Sequence, residues 1–108
     1  MRTLTWHLPS VGPGTSQRET YRLDGAYTPV RAWLHADTGP TARELIIDID
    51  VDGASIFSYQ PRMKDETDVE SSDFASVQFS KDSLVSLDID QTDDIVQGLT
   101  VGLELEEA

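Results

Sequence analysis

The sequence contains no cysteine, so disulfide bonds and thiolate metal sites are excluded. No apolar run approaches the roughly 20 residues that a membrane-spanning helix needs. The first ten residues, MRTLTWHLPS, are too short in their apolar part and too interrupted for a secretory signal. We therefore expect a protein that is made in the cytoplasm and does not enter a membrane.

Basic residues are scarce, since eight Lys and Arg stand against 20 Asp and Glu, for a formal net charge of −12. The imbalance lies in the second part of the chain. Residues 1–47 carry five basic and four acidic side chains, whereas residues 48–108 carry three basic and 16 acidic ones. Nucleic acid is excluded as a partner because phosphate binding needs a basic face. The acidic excess favours solubility, or docking of one face on a basic surface.

No stretch has the 3.6-residue spacing of an amphipathic helix. Apolar and polar residues instead alternate in six stretches of strand length, which predicts antiparallel strands with one wet face. The stretches are 2–8, 30–36, 44–52, 75–79, 83–90 and 98–106. In the second of them, Val30, Ala32, Leu34 and Ala36 are predicted to face inward. About eight short strands without a helix predict an all-β protein, an antiparallel β-sandwich of the jelly-roll type.

The length of 108 residues suits a single domain, residues 1–108. Two segments within this domain carry separate predictions. Residues 1–15 are a candidate for an extended N-terminal docking segment. Residues 61–73, PRMKDETDVESSD, are polar and acidic, and we expect them to form an exposed loop.

The stretch Asp48–Gly53, DIDVDG, has the alternating aspartates and the glycine that open a calcium loop of the EF-hand type. That loop needs a bidentate carboxylate at its twelfth position, where this chain has Tyr59, and it needs flanking helices. Asp-Gly between two alternating runs is instead a strong signal for a two-residue β-hairpin turn. We therefore expect solvated aspartates on a strand and no metal, with Asp48, Asp50 and Asp52 as a weaker calcium alternative.

No catalytic motif is apparent. The chain lacks a nucleophile elbow, a phosphate loop, a dinucleotide fingerprint and a His-Glu-x-x-His sequence. The two histidines, His7 and His35, alternate with apolar neighbours and are predicted to be partly exposed strand residues. We expect no catalytic residue, no cofactor and no enzymatic activity.

Aromatic side chains are the remaining candidates for contact with a partner. Trp6, Trp33 and Tyr59 are predicted to pack in the core or in an interface between subunits, where aromatic residues are common anchors. An exposed aromatic shelf around Trp33 or Tyr59 would instead favour stacking on a sugar. The first interpretation requires that other protein groups cover the rings, and the second requires that the rings be exposed.

The stretch 28–58, TPVRAWLHADTGPTARELIIDIDVDGASIFS, and the later stretches SLVSLDIDQTDD and GLTVGLELEE resemble small virion proteins of tailed bacteriophages. The similarity covers most of the chain from about residue 20 onward. The resemblance implies a β-sandwich or jelly-roll module of a capsid decoration, head fibre or tail appendage, which is often a trimer. It carries over no functional residue, since the pattern defines a fold.

Two functions are therefore expected from the sequence. The first is a non-enzymatic structural protein of a phage virion, which contacts other capsid or tail proteins and forms a homo-oligomer, with a trimer favoured. The second is a carbohydrate-binding module used in adsorption to a host surface.

Overall fold

The structure is a computed structural model that describes residues 1–14 and 18–108. The described residues form nine β-strands and no helix, as the alternating pattern predicts. The strands are β1 (Arg2–Ser10), β2 (Tyr21–Arg22), β3 (Tyr27–Thr38), β4 (Leu45–Val51), β5 (Ala54–Ser55), β6 (Arg62–Met63), β7 (Asp68–Ser71), β8 (Leu84–Gln91) and β9 (Gln97–Glu107).

The strands form two antiparallel sheets that pack face to face. Sheet A has four strands in the order β1-β9-β3-β7. Sheet B has the order β2-β8-β4-β5, and β6 pairs with β4 beside β5. The prediction of an antiparallel β-sandwich is confirmed.

The connectivity is that of a jelly roll. Pairs of strands are nested along the chain, because β1 pairs with β9, β2 with β8, β3 with β7, and β4 with β5 and β6. The chain therefore resembles one long hairpin that is wrapped so that successive pairs lie in alternate sheets. The structure has nine strands rather than about eight because the partner of β4 is divided into the short strands β5 and β6.

The tip of this long hairpin is the turn at Asp52-Gly53. Both residues have positive φ, 51° for Asp52 and 87° for Gly53, and Val51 pairs directly with Ala54. Positive φ at both central residues is the geometry of a type I′ turn, which joins twisted antiparallel strands without splaying them. The predicted hairpin is confirmed.

The core lies between the sheets and is built by alternate residues of the long strands. β1 contributes Leu4, Trp6 and Leu8, each at most 2 % exposed. Its partner β9 contributes four fully buried side chains at the same spacing: Leu99, Val101, Leu103 and Leu105. Period two follows from the pleat of a strand, so one face of each sheet is apolar and the other is left for function.

One residue of the predicted inward set faces outward. Val30 is 37 % exposed, whereas Ala32, Leu34 and Ala36 are buried as expected. The register of β3 against β9 shifts between Pro29 and Arg31, which marks a β-bulge. A bulge adds a residue to one strand and breaks the alternation at that point, so Val30 leaves the core.

The two segments singled out in the sequence both contribute strands to the sandwich, and most residues of 61–73 outside those strands are exposed. Residues 2–10 form β1, which pairs with β9 along its length, and Thr15 of the proposed docking segment lies outside the described residues. Within 61–73, β6 and β7 pair with β4 and β3, and Met63 is fully buried. These strands are two and four residues long, too short to show an alternating pattern in the sequence.

Candidate functional site

Sheet B exposes a cluster of carboxylates on its outer face. Asp48 of β4 lies directly opposite Asp88 of β8, and Asp50 opposite Ser86. One carboxylate oxygen from each of Asp48, Asp50 and Asp88 lies within 4.8 Å of the others. Asp88 is only 8 % exposed, and the other two side chains are half-buried. The aspartates are therefore less solvated than the sequence predicts.

Crowding changes how these groups ionise. Burial raises the pKa of Asp50 to about 8, and the hydrogen bond to Asp88 and the charge of Asp48 add to the rise. Burial also raises the pKa of Asp48, against the effect of the Ser55 hydroxyl, which donates to its Oδ1 at 2.6 Å. Shared protons are therefore a sufficient explanation of how the carboxylates approach one another at neutral pH.

The calcium alternative differs in its residues from the set named in the sequence. Asp52 is absent from the cluster, because its Oδ1 accepts the backbone N–H of Leu84 at 2.9 Å and closes the hairpin end. Asp88 takes its place. Calcium takes about six to eight oxygen ligands, usually from a curled loop, and three carboxylates that each present one oxygen supply at most half of them. The cluster fits shared protons better than a divalent cation.

Asp93 is a structural anchor whose role was not predicted from the sequence. Its Oδ2 accepts the backbone N–H groups of Thr41, Ala42 and Arg43 at 3.2, 2.8 and 3.2 Å, and its Oδ1 accepts that of Ile95 at 3.3 Å. These donors lower the pKa of Asp93 to about 2. Aspartates commonly bind nearby backbone N–H groups in turns. The partners about fifty positions away, however, follow only from the tertiary fold.

The outer face of sheet A is organised around Trp33. The indole lies flat on the central strand β9, over Gly102, where a Cβ atom would come within 2.1 Å of the indole Cε2. Trp33 is half-buried, and its side chain lines a depression on this face of the sheet. An aromatic shelf at Trp33 is the feature that would favour stacking on a sugar over packing in an interface.

Ion pairs stand on both sides of Trp33. Arg31 donates from Nε to Glu104 Oε2 at 2.9 Å and from Nη1 to Glu70 at 3.0 Å. On the other side, His35 Nδ1 lies 2.8 Å from Asp68 Oδ1. Each of these charged groups is paired with a neighbour on an adjacent strand, so the face presents hydrogen-bonded polar groups on both sides of the indole.

Both histidines lie exposed on the outer face of sheet A, as predicted. His7 Nδ1 is 3.0 Å from the hydroxyl of Thr100, and His35 contacts Asp68 and, at 3.5 Å, Asp37. The hydrogen bond to Asp68 raises the pKa of His35. Neither contact places a serine or threonine hydroxyl in a His–acid arrangement that could activate it, so the described part of the chain offers no catalytic triad at these histidines.

The other two aromatic candidates have different environments. Trp6 is fully buried, its Nε1 donates to the Glu19 carbonyl at 2.7 Å, and it packs edge-on against Tyr21. It therefore belongs to the core and not to an external surface. Tyr59 is 60 % exposed beyond β5, with the Arg62 guanidinium 5.1 Å from its ring centroid. Of the three candidates, Trp33 and Tyr59 remain accessible.

Comparison with known proteins does not assign this chain to a family: no family model matches it, and no curated protein matches it. Residues 1–14 and 18–108 contain no helix that is long and apolar enough to cross a membrane. What can be concluded directly is the fold, an antiparallel jelly-roll sandwich, and a function has to be proposed from its surfaces.

Proposed function

We propose that this protein is a non-enzymatic structural protein of a bacteriophage virion, which decorates or forms an appendage on the capsid or tail. The observation that carries the proposal is the jelly-roll connectivity, an architecture that viral capsid domains commonly use. The resemblance of residues 28–58 and of the last two strands to small phage virion proteins supports the same role. A shared fold supports a function only by analogy, so a contact surface is also needed.

The edge of sheet B beside Tyr59 is a suitable contact surface. Tyr59 projects from the connection between β5 and β6, and Arg62 stacks beneath it. The Arg62 Nε is buried without a hydrogen-bond partner in the described part of the chain. Tyrosine and arginine are enriched among the residues that dominate binding energy at protein interfaces. We assign this Tyr59–Arg62 edge to contacts between copies of the chain, with a trimer as the expected assembly.

Light scattering of the purified protein, with and without calcium, tests the assembly. We expect a mass near three chains that does not respond to chelator, and a lower mass for Tyr59→Ala at the same protein concentration. Leu84→Ala is the matched control, since Leu84 is also an exposed apolar residue but begins β8. A monomeric wild type, or equal masses for the two variants, would remove the Tyr59–Arg62 edge as an interface.

The place in a particle is tested by the protein composition of purified virions from the encoding phage. Mass spectrometry should find the chain in fixed proportion to the major capsid or tail proteins. Its absence from washed particles would overturn the proposed function, whatever the oligomeric state in solution.

A further inference from the structure

The environment of Trp33 differs from that of an ordinary interface anchor. The side chain of Trp33 borders a depression of about 270 Å³ on the outer side of sheet A. The depression is lined by Arg31, Trp33, Leu34, Asp68, Val69 and Glu70. An aromatic plate is thus set beside three charged side chains, one basic and two acidic.

Gly102 is the residue that makes the plate flat. In sheet A it lies directly opposite Trp33 on β3 and Thr5 on β1. Any Cβ at this position would overlap the indole, so a larger residue would force the ring off the strand. The absence of a side chain at position 102 therefore leaves room for the indole to lie across the central strand.

The charged side chains beside the indole are not balanced, since Asp68 and Glu70 face one Arg31, but each of them is already paired. Arg31 is held between Glu104 and Glu70, and Asp68 is held by His35. Each carboxylate has about four lone-pair sites, so capacity to accept further hydrogen bonds remains. A ligand in the depression would meet hydrogen-bond donors and acceptors next to an apolar surface.

These features decide between classes of ligand. The centre of a protein–protein interface is depleted of charged residues, and burying these ion pairs under a partner would desolvate them at a cost that pairing repays poorly. A cation would gain from the ring face, but both carboxylates of the depression are already paired, Glu70 with Arg31 and Asp68 with His35. A neutral ligand with one apolar face and several hydroxyls meets both the ring and the polar groups.

We infer that the outer face of sheet A binds a neutral saccharide, with one sugar ring stacked on Trp33 and its hydroxyls hydrogen-bonded to Arg31, Asp68 and Glu70. Binding sites of small ligands generally combine apolar or aromatic walls with a few placed polar groups. The inference does not rest on the proposed place in a virion. It gives the sandwich a second surface, separate from the Tyr59–Arg62 edge.

The test is a titration of the ¹⁵N-labelled protein with glucose, galactose, mannose, N-acetylglucosamine and rhamnose. The two tryptophans give two indole N–H resonances. Trp6 is buried and donates to the Glu19 carbonyl, so its resonance is an internal reference. We expect at least one sugar to move the Trp33 resonance with a Kd of the order of 1 mM, as befits a ligand of monosaccharide size.

Three variants refine the result, and the backbone amide resonances of β3 report binding where the substitution removes the Trp33 indole. Trp33→Ala should abolish binding, Trp33→Phe should retain part of it, and Gly102→Ala should weaken it at least tenfold by tilting the indole. Leu84→Ala on sheet B should bind as the wild type does. Melting temperatures show which variants remain folded, and Trp33→Phe keeps the test decisive if Gly102→Ala does not fold.

Several outcomes would overturn the inference. A Trp33 resonance that no sugar moves at tens of millimolar excludes the saccharide. Movement with tetramethylammonium and not with the sugars would identify a cation site. Movement that depends on protein concentration alone would identify the face as an interface between copies of the chain.

Discussion

Two aspartates lie beside the same strand, β8, and their pKa values are shifted in opposite directions. Asp93 follows the end of β8 and accepts four backbone N–H groups, which lower its pKa to about 2. Asp50 faces β8 from β4, and burial together with Asp88 and Asp48 raises its pKa to about 8. A buried carboxylate is thus charged or neutral according to whether its neighbours are donors or other carboxylates.

The same contrast separates the outer faces of the two sheets. On sheet A, Arg31 of β3 stands between Glu104 of β9 and Glu70 of β7. On sheet B, Asp48 stands opposite Asp88. Opposite charges on adjacent strands stabilise a sheet and like charges destabilise it. On sheet A the charged groups of β3 are paired with carboxylates of the adjacent strands, whereas sheet B needs protons to relieve its own repulsion.

The largest expected effect comes from removing the anchor. Asp93→Ala leaves the N–H groups of residues 41–43 and 95 without their acceptor, so we expect the melting temperature to fall by several degrees, more than for the other aspartate and histidine substitutions considered. Because the pKa of Asp93 is lowered in the folded state, its contribution is present above the unfolded value and is lost as the pH falls from about 4 towards 2. Thermal unfolding across this range measures both effects.

Asp94→Ala is the matched control, since the neighbouring Asp94 is exposed. It should leave the melting temperature nearly unchanged. Equal losses for the two variants would show that the turn, and not the carboxylate of Asp93, determines stability at this end of the sandwich.

The second prediction concerns Asp50, whose carboxylate lowers the stability of the folded protein at high pH. The folded protein holds a proton on Asp50 that the unfolded chain releases near pH 4, so stability is lost as the pH rises from about 4 to 8. Asp50→Asn should therefore leave stability unchanged at pH 4. At pH 9 it should raise the free energy of unfolding by about 1–2 kcal/mol, allowing for partial exposure. Urea unfolding at the two pH values measures the difference.

Asp94→Asn controls for a general change in net charge. Destabilisation by Asp50→Asn at both pH values would mean that Asp50 acts as a hydrogen-bond acceptor and not as a source of repulsion. A calcium-dependent gain in wild-type stability at pH 9, absent from Asp50→Asn, would show that a cation neutralises the cluster.

Local chemistry made part of this architecture predictable. Period-two alternation gave the inward faces of β1, β4, β8 and β9, and Asp52-Gly53 gave the central hairpin, because pleat and turn geometry act over a few residues. Short strands such as β6 and β7 were missed, since they exist only through pairing with β4 and β3. Val30 was placed wrongly because a bulge depends on the partner strand.

The surfaces were less predictable than the core. The alternating aspartates of 48–52 were visible, but their pairing with Asp88 depends on the register between β4 and β8. Trp33 was visible as a candidate aromatic contact, whereas its flat position on β9 requires Gly102, 69 residues later in the chain. The two residues became a candidate site only once the strands were aligned.

The smallest expected effect on stability lies on the outer face of sheet A, at His35. The hydrogen bond to Asp68, with a lesser contribution from Asp37, raises the pKa of His35, so NMR titration should give a value above about 6.5. Asp68→Asn should lower that pKa. The charged histidine stabilises the fold below its unfolded pKa, and this contribution is lost as the pH rises through the folded pKa. Both residues are exposed, so the gain over His35→Gln should be slight. A pKa that is unchanged in Asp68→Asn would mean that the contact does not hold in solution, and sheet A would then have lost one of the two ion pairs that flank Trp33.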